Sequence, residues 1–181
     1  GRYLTPEEPN KIDRGLFKGG LNYIPNLDYS YDGVMKSFEQ SLTRLNLSKI
    51  DICLIHDVDK WTHGEEYEIH FKTAMNGAYK ALSQLKSEKV IQAIGVGLNE
   101  TEMCVRFAEA GDFDCMILAG RYTLLEQGGI EDFFSLALKK KIGVILAGVF
   151  NSGILAKGIG PNSTYDYEKI PNHIAEKYFK I

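Results

Sequence analysis

The sequence predicts an α/β fold with a parallel sheet, built as roughly half of a (β/α)8 barrel. Three observations carry this expectation. Short apolar runs at residues 50–55, 90–97, 115–119 and 142–147 each read as a buried strand. Amphipathic helical patterns separate them, and that alternation makes right-handed βαβ units with parallel strands. The 181 residues fall short of the roughly 250 that a complete barrel needs, so the chain is expected to run from about the end of barrel strand 3 to just past strand 7, as a single partial domain. A doubly wound sheet shares the same alternation. No GxGxxG follows any strand, however, and Gly95-Val-Gly97 lacks the third glycine, which argues against a Rossmann site.

Taken in order, residues 1–29 carry Gly19-Gly20, Pro6, Pro9 and Pro25 and read as one long loop. Ser30 is placed to cap a helix in which Val34, Phe38, Leu42 and Leu45 form one stripe, and Asn46 can end it in a left-handed conformation. The strand at 50–55 expects burial on both faces. An acidic loop follows from 57 to 70, then a helix over 71–87 with Ala74, Ala78, Leu82 and Leu85 on one face. After the second strand, Asn99 and Glu102 make a capping-box pattern for a helix to about Ala110, closed by Gly111. The third strand, 115–119, precedes a helix over 130–140 with Ile130, Phe133, Phe134 and Ala137 inward. Lys139, Lys140 and Lys141 fall at its C-terminal dipole end, which is a helix terminus before it is a binding patch. The last strand runs into residues 148–155 and a Gly/Pro/Asn-rich loop, and Pro171 opens a final amphipathic piece.

Composition narrows the function classes. A net charge of −3 provides no basic footprint for nucleic acid. No apolar run reaches the roughly 18 residues of a membrane helix. Cys53, Cys104 and Cys115 sit singly in apolar stretches, without a CxxC pair or a spacing shared with the histidines. That pattern speaks for buried thiols in a reducing, cytoplasmic setting and against a metal site. The chain opens on Gly1 with no initiator Met and ends on Ile181 with no closing element, the expectation for a piece of a longer protein.

The candidate chemistry begins where the run at 50–55 stops, at His56 and Asp57. A titratable imidazole followed by acids at the mouth end of a parallel strand is where α/β proteins place reactive groups. The run by itself leaves a second reading open, a core histidine bonded to a neighbouring backbone group.

The longer blocks carry a resemblance. Leu54-Ile-His-Asp-Val-Asp59 with Trp61-Thr-His-Gly64, Gly95-Val-Gly-Leu-Asn99, Gly111-Asp-Phe-Asp-Cys115, the segment from Leu118 to Gln127, and Phe150-Asn-Ser-Gly-Ile-Leu155 together resemble the aldo-keto reductases. Within them the sequence is similar to the sugar-oxidising D-threo-aldose 1-dehydrogenase (L-fucose dehydrogenase) branch, with L-galactose and pyridoxal 4-dehydrogenases as relatives. The resemblance implies a (β/α)8 barrel that binds NAD or NADP without a Rossmann fold. It implies an Asp–Tyr–Lys–His tetrad of which His56 is the member present, with Gly1-Arg2 matching the tail of the segment that carries the lysine. The other three then lie upstream, and the chain alone is expected to be inactive. In the whole enzyme the tyrosine would take the anomeric hydroxyl's proton as C1 gives a hydride to the nicotinamide, forming a lactone, while His56 positions the reacting oxygen.

The same resemblance places cofactor contacts at Asn99, Phe150, Asn151, Ser152 and Gly153. On the loop after the His56 strand, Asp57, Trp61 and His63 are candidates to line a sugar pocket, since aromatic stacking and carboxylate hydrogen bonds are the usual physics of such sites, and Tyr122 is a further substrate candidate. Helix capping by Asn99, a tight turn at Asn151–Gly153 and a purely covering role for Trp61 stay open beside these. Three positions depart from the family pattern. Ala119 stands where many members have a carboxamide-gripping Gln, Ala147 where many have a stacking aromatic, and Val149 where the branch has Pro. Either Phe150 or Tyr122 is then expected to supply the missing stacking, or the packing is weaker. The expected partner is a small sugar or aldehyde. Two alternatives remain: a nucleotide-binding sensor or channel partner with little turnover, and a truncated gene product.

Overall fold

The computed structural model describes residues 2–13 and 19–181. Part of the expected N-terminal loop, residues 14–18, lies outside them, as do Gly1 and the expected inward side chain of Ile130. The fold is α/β with a parallel sheet. Contacts gather the chain into two units. One holds the described residues up to Ile55 together with Glu66–Ile94; the other holds His56–Glu65 and Gly95–Ile181.

In the first unit the expected loop contains an antiparallel pair, β1 (Arg2–Pro6) and β2 (Tyr23–Leu27), in register from Arg2↔Leu27 to Pro6↔Tyr23. Proline and glycine content hid it, whereas Tyr3, Leu4, Thr5, Tyr23 and Ile24 are good strand formers. Pro25 is tolerated because a two-stranded ribbon does not need every N–H. The pair is tied to helix α1 (Tyr31–Leu45) by Gln40. Its amide accepts from the Leu4 N–H at 2.8 Å and donates to the Leu4 carbonyl at 2.9 Å. Both expected caps of α1 form: Ser30 Oγ accepts from the Gly33 N–H at 3.1 Å, and Asn46 is left-handed at φ 52°. The stripe fades along the helix, with Val34 and Phe38 buried and Leu45 exposed.

Strand β3 (Ile52–His56) corrects the expectation of burial on both faces. Ile55 is buried, but Ile52 is 48% exposed. With Val34, Phe38 and Leu82, Ile52 lines an open cavity of about 280 Å³. The expected loop at 57–70 is also partly helical: α2 spans Lys60–His63 and α3 begins at Tyr67, running to Thr73. A wide π turn, Ala74–Ala78, joins α3 to α4 (Tyr79–Ser87). At this turn the Ala78 N–H donates to the distant Tyr29 carbonyl at 2.9 Å, the kind of inserted contact that accompanies a widened helix.

In the second unit β4 (Ala93–Leu98), β5 (Cys115–Ala119) and β6 (Gly143–Ala147) pair in parallel, with Gly95 opposite Cys115 and Cys115 opposite Gly143. Helices α5 (Thr101–Ala110) and α6 (Ile130–Lys140) close on a core of Met103, Phe107, Met116, Leu118 and Phe133. Lys140 donates from Nζ to the Ala108 carbonyl and, at 3.3 Å, to that of Gly111, so it caps the end of α5. Lys141 is left-handed at the end of α6. The lysine run thus serves helix ends, as expected. Beyond β6 come α7 (Ile154–Lys157), a hairpin of β7 (Thr164–Tyr165) and β8 (Glu168–Lys169), and α8 (Asn172–Tyr178), held by a buried cluster of Leu125, Ile154, Tyr165 and Ile174. No helix among the described residues is long and apolar enough to cross a membrane. All three cysteines are free thiols. Burial pushes Cys53 up to about 11 and Cys104 up to about 12, and it raises Cys115 as well.

The π turn rests on a glycine. A Cβ at Gly77 would stand 2.5 Å from the Tyr29 carbonyl oxygen and 2.8 Å from Ser30 Cα, contacts that backbone cannot yield cheaply. Gly77→Ala is therefore expected to destabilise the protein by about 1–3 kcal/mol in urea unfolding. An unchanged midpoint would show that the turn is not held this tightly.

Candidate functional site

The site grows from the ends of β3 and β4 in the second unit. His56 closes β3, and its Nδ1 lies 2.8 Å from Asp57 Oδ2. Asp57 itself is left-handed at φ 56°, an uncommon conformation that Asp tolerates better than most. Its N–H donates to the Gly97 carbonyl at 3.0 Å. Gly97 leaves room for the imidazole, since a Cβ there would sit 3.2 Å from His56 Cδ2.

Below this pair lies Asp59, fully buried at 0% exposure. Its Oδ1 accepts from the Thr62 N–H at 2.9 Å, capping α2. Its Oδ2 accepts from both the backbone N–H and the side-chain Nδ2 of Asn99, each at 3.3 Å. Asn99 Nδ2 also reaches Asp57 Oδ1 at 3.4 Å. Asn99 therefore does not cap α5. Glu100 occupies the position before that helix and makes no side-chain cap bond there. Its carboxylate turns the other way, accepting from the N–H groups of Lys60 (3.2 Å) and Trp61 (2.9 Å). Two carboxylates thus satisfy the first turn of α2. Asp59 also acts on Cys104, adding its negative charge to the burial that raises the thiol.

Asn99 and Trp61 line a cavity of about 370 Å³ together with Ala119, Gly120, Gly148, Asn151, Ser152 and the 164–167 hairpin. Residues 151–153 make a tight turn in which Asn151 (φ 45°), Ser152 (φ 56°) and Gly153 (φ 94°) are all left-handed. Only Gly adopts the last of these without strain. The Asn151 N–H donates to the Gly148 carbonyl at 2.9 Å and the Gly153 N–H to that of Phe150 at 3.0 Å. Those two amides serve the turn rather than a ligand. Asn151 donates from Nδ2 to the Gly120 carbonyl at 3.3 Å, and its buried Oδ1 has no hydrogen-bond partner among the described residues. An acceptor left like this in a native structure calls for an explanation, and a bound molecule is one.

The far wall was not anticipated. Asp166 (φ 48°) and Tyr167 (φ 70°) form the two-residue turn of the β7–β8 hairpin, both at positive φ as a type I′ turn requires. Tyr167 stacks on Trp61 with centroids 6.4 Å apart and an interplanar angle of 16°. The Asp166 N–H donates to Ser152 Oγ at 3.1 Å, and its carboxylate pairs with Arg121 at 2.9 Å. Asp-Tyr is not the Asn-Gly signal that marks such turns in sequence, so only the flanking Thr-Tyr and Glu-Lys alternation could have pointed to it.

Residues 1–178 match the aldo/keto reductase family. The chain belongs to that family. It is 41% identical over 176 residues to a pyridoxal 4-dehydrogenase from Microbacterium luteolum, covering 96% of this chain and 51% of that protein. It is 29% identical over 187 residues to a D-threo-aldose 1-dehydrogenase from Pseudomonas sp., covering 100% and 54%. The chain therefore spans about half the length of the curated relatives it matches. Among solved structures, a glycerol dehydrogenase from Gluconobacter oxydans superposes with a TM-score of 0.65 over 98% of this chain and 49% of its own, at 21% identity, a likeness of fold.

Of the positions singled out in the sequence, the structure gathers Asn99, Asn151, Ser152 and Trp61 around one cavity. His56 and Asp57 connect to it through Asn99. Gly153 lies in the turn beside Ser152. Phe150 and Tyr122 line a different, mostly apolar cavity of about 450 Å³ with Leu124 and Val149, and Tyr122 packs edge-on against Phe134 at 5.0 Å. They do not join the Asn99 group. Asp59, Glu100 and Tyr167, which sequence reasoning passed over, are the added members.

Asp59 is the member whose removal should be felt most. Asp59→Ala leaves the Thr62 and Asn99 N–H groups without their acceptor and is expected to cost about 1–3 kcal/mol of stability, read by thermal unfolding. Stability equal to the parent protein would mean that the carboxylate holds nothing.

Proposed function

We propose that the whole protein is an NAD- or NADP-dependent dehydrogenase of a cyclic hemiacetal or similar small alcohol, pyridoxal-like or aldose-like. We also propose that this chain forms one partial domain of a (β/α)8 barrel, from the end of strand 3 to just past strand 7. The carrying observation is the cavity between Asn99 and Asn151 with its unpartnered buried acceptor. Family membership supports a nicotinamide nucleotide as its occupant, since aldo/keto reductases use NAD(P)H.

The donor and acceptor balance fits that group. Asn99 spends its NH2 on Asp57 and Asp59 and so keeps its carbonyl oxygen for the cavity. Asn151 likewise spends its NH2 on Gly120 and keeps Oδ1. Two acceptors suit a ligand that brings an NH2, as a carboxamide does. This arrangement replaces the side-chain contact that Ala119 cannot make. Ser152 Oγ already accepts from Asp166, which leaves its O–H to donate to a phosphate oxygen.

When bound, the nicotinamide supplies the hydride acceptor. The chain's own groups position the substrate around it. His56, at the mouth end of β3, holds the reacting oxygen by hydrogen bonding. Trp61, stacked on Tyr167, offers a flat wall to a sugar or pyridine ring. The two relatives support this substrate class, one named for pyridoxal and the other for an aldose.

The test is nicotinamide reduction by the full-length protein offered pyridoxal, L-fucose, L-galactose or D-arabinose, with NAD⁺ or NADP⁺. Turnover with at least one pair is expected, and His56→Ala should lower kcat/KM by roughly 100-fold. Nucleotide binding without turnover on any substrate would favour a binding module, and an unaltered rate in His56→Ala would remove the histidine from the reaction.

A further inference from the structure

Among the described residues, two aromatic side chains line the cavity that holds Asn99 and Asn151, and they come from different loops. Trp61 stands in α2 and Tyr167 in the β7–β8 turn. Their rings lie 16° from parallel with centroids 6.4 Å apart. Carbon atoms in full face contact stand about 3.5–4 Å apart, so neither ring covers the other's face completely. Trp61 is 52% exposed and Tyr167 64%. Both are nevertheless held from behind. The Trp61 N–H donates to Glu100 Oε1 at 2.9 Å, and Asp59 caps the helix. Asp166 ties the turn down twice, through its N–H on Ser152 Oγ at 3.1 Å and its carboxylate on Arg121 at 2.9 Å. Tyr167 itself sits at φ 70°, a conformation that a bulky residue keeps only where its surroundings hold it. Two large ring faces, fixed in place yet more than half exposed, suit a ligand that covers them.

We propose that Trp61 and Tyr167 form a slot for a flat, electron-poor aromatic ring, so that the substrate is a pyridine bearing the reacting alcohol or hemiacetal and not a free aldose. One aromatic wall serves a sugar and a pyridine alike. A second wall, nearly parallel to the first, separates them. A flat ring held between two others needs about 7 Å, twice the carbon–carbon optimum of about 3.5 Å. The pair at 6.4 Å stands within about 1 Å of that spacing. A puckered pyranose turns axial hydrogens and hydroxyls toward both walls and needs a wider gap. Its hydroxyls would also give up water against two apolar faces without gaining a partner there. Electronics point the same way. The faces of indole and phenol are electron-rich, whereas a pyridine ring is electron-poor, and more so when its nitrogen is protonated. Tyr167 is thus the specificity-determining residue, since it supplies the second wall. The inference deepens the dehydrogenase reading and rests on it for the reaction, while the preference for a flat ring stands on the geometry of the pair.

The experiment is equilibrium dialysis of the full-length protein against pyridoxine and against L-fucose, with and without saturating NADH or NADPH. Pyridoxine carries the pyridine ring and an alcohol but no aldehyde, so it forms no imine with lysines, and a reduced nucleotide leaves no hydride acceptor for turnover. Pyridoxine is expected to bind at least about tenfold more tightly than L-fucose. Tyr167→Leu, which removes the ring, should weaken pyridoxine by about tenfold and leave L-fucose within about twofold, whereas Tyr167→Phe keeps the parent preference. Trp61→Leu tests the other wall and should weaken pyridoxine as well. Equal losses for both ligands in Tyr167→Leu, or none for pyridoxine in either leucine variant, overturn the proposal. So does pyridoxine binding that the reduced nucleotide abolishes, because the pair would then hold a ring of the nucleotide. If pyridoxine binds as stated but pyridoxal is oxidised with neither NAD⁺ nor NADP⁺, the dehydrogenase reading fails and the slot stands.

Discussion

A single buried carboxylate organises the candidate site. Asp59 has no exposed surface, and a charge in that position is tolerated only when donors surround it. The donors come from three places. The Thr62 N–H opens α2, the Asn99 N–H follows β4, and the Asn99 side chain bridges to Asp57. Satisfying one charge therefore fixes where the loop after β3 turns back, how the loop after β4 leaves the sheet, and which way Asn99 faces. Replacing the carboxylate leaves several orphaned donors at once, so the arrangement holds together or fails together.

What this node supports is a cavity whose walls come from separate loops. Glu100 holds the first turn of α2 and with it Trp61. The left-handed turn at 151–153 brings Asn151 inward, and the Asp166–Tyr167 turn meets both Ser152 and Trp61. Several of these residues hold backbone conformations that non-glycine residues seldom adopt, namely Asp57, Asn151, Ser152, Asp166 and Tyr167. Such concentration around one cavity is what functional sites show, because each left-handed residue has to be held there by its surroundings. Loops on a parallel sheet are also where an α/β protein carries its chemistry.

The regular elements were legible from local pattern alone. Helix α1 has both of its expected caps, Ser30 and Asn46, and β5 and α6 fall where periodicity puts them. The misses have physical causes. The β1–β2 pair depends on Gln40, about 36 residues away from Leu4, to complete an edge that Pro6 and Pro25 seemed to rule out. The Asp166–Tyr167 turn lacks glycine. Asn99 looked like a cap because capping is a local rule, and it lost to Asp59, a partner 40 residues away. In the site, His56, Asn99, Asn151 and Trp61 were visible as residue types at strand ends. Asp59 was not, because nothing in sequence marks which acid of an acidic loop is buried. Phe150 and Tyr122 shared the family blocks but point into another cavity.

The account stands on the cavity between Asn99 and Asn151 being built to receive an NH2-bearing ligand. A crystal structure of the full-length protein with NAD⁺ or NADP⁺ bound tests that directly. The account predicts a carboxamide nitrogen within about 3 Å of Asn99 Oδ1 or Asn151 Oδ1, with Asn99 still donating to Asp57 and Asp59. A nucleotide bound elsewhere, with both acceptors untouched, would contradict it.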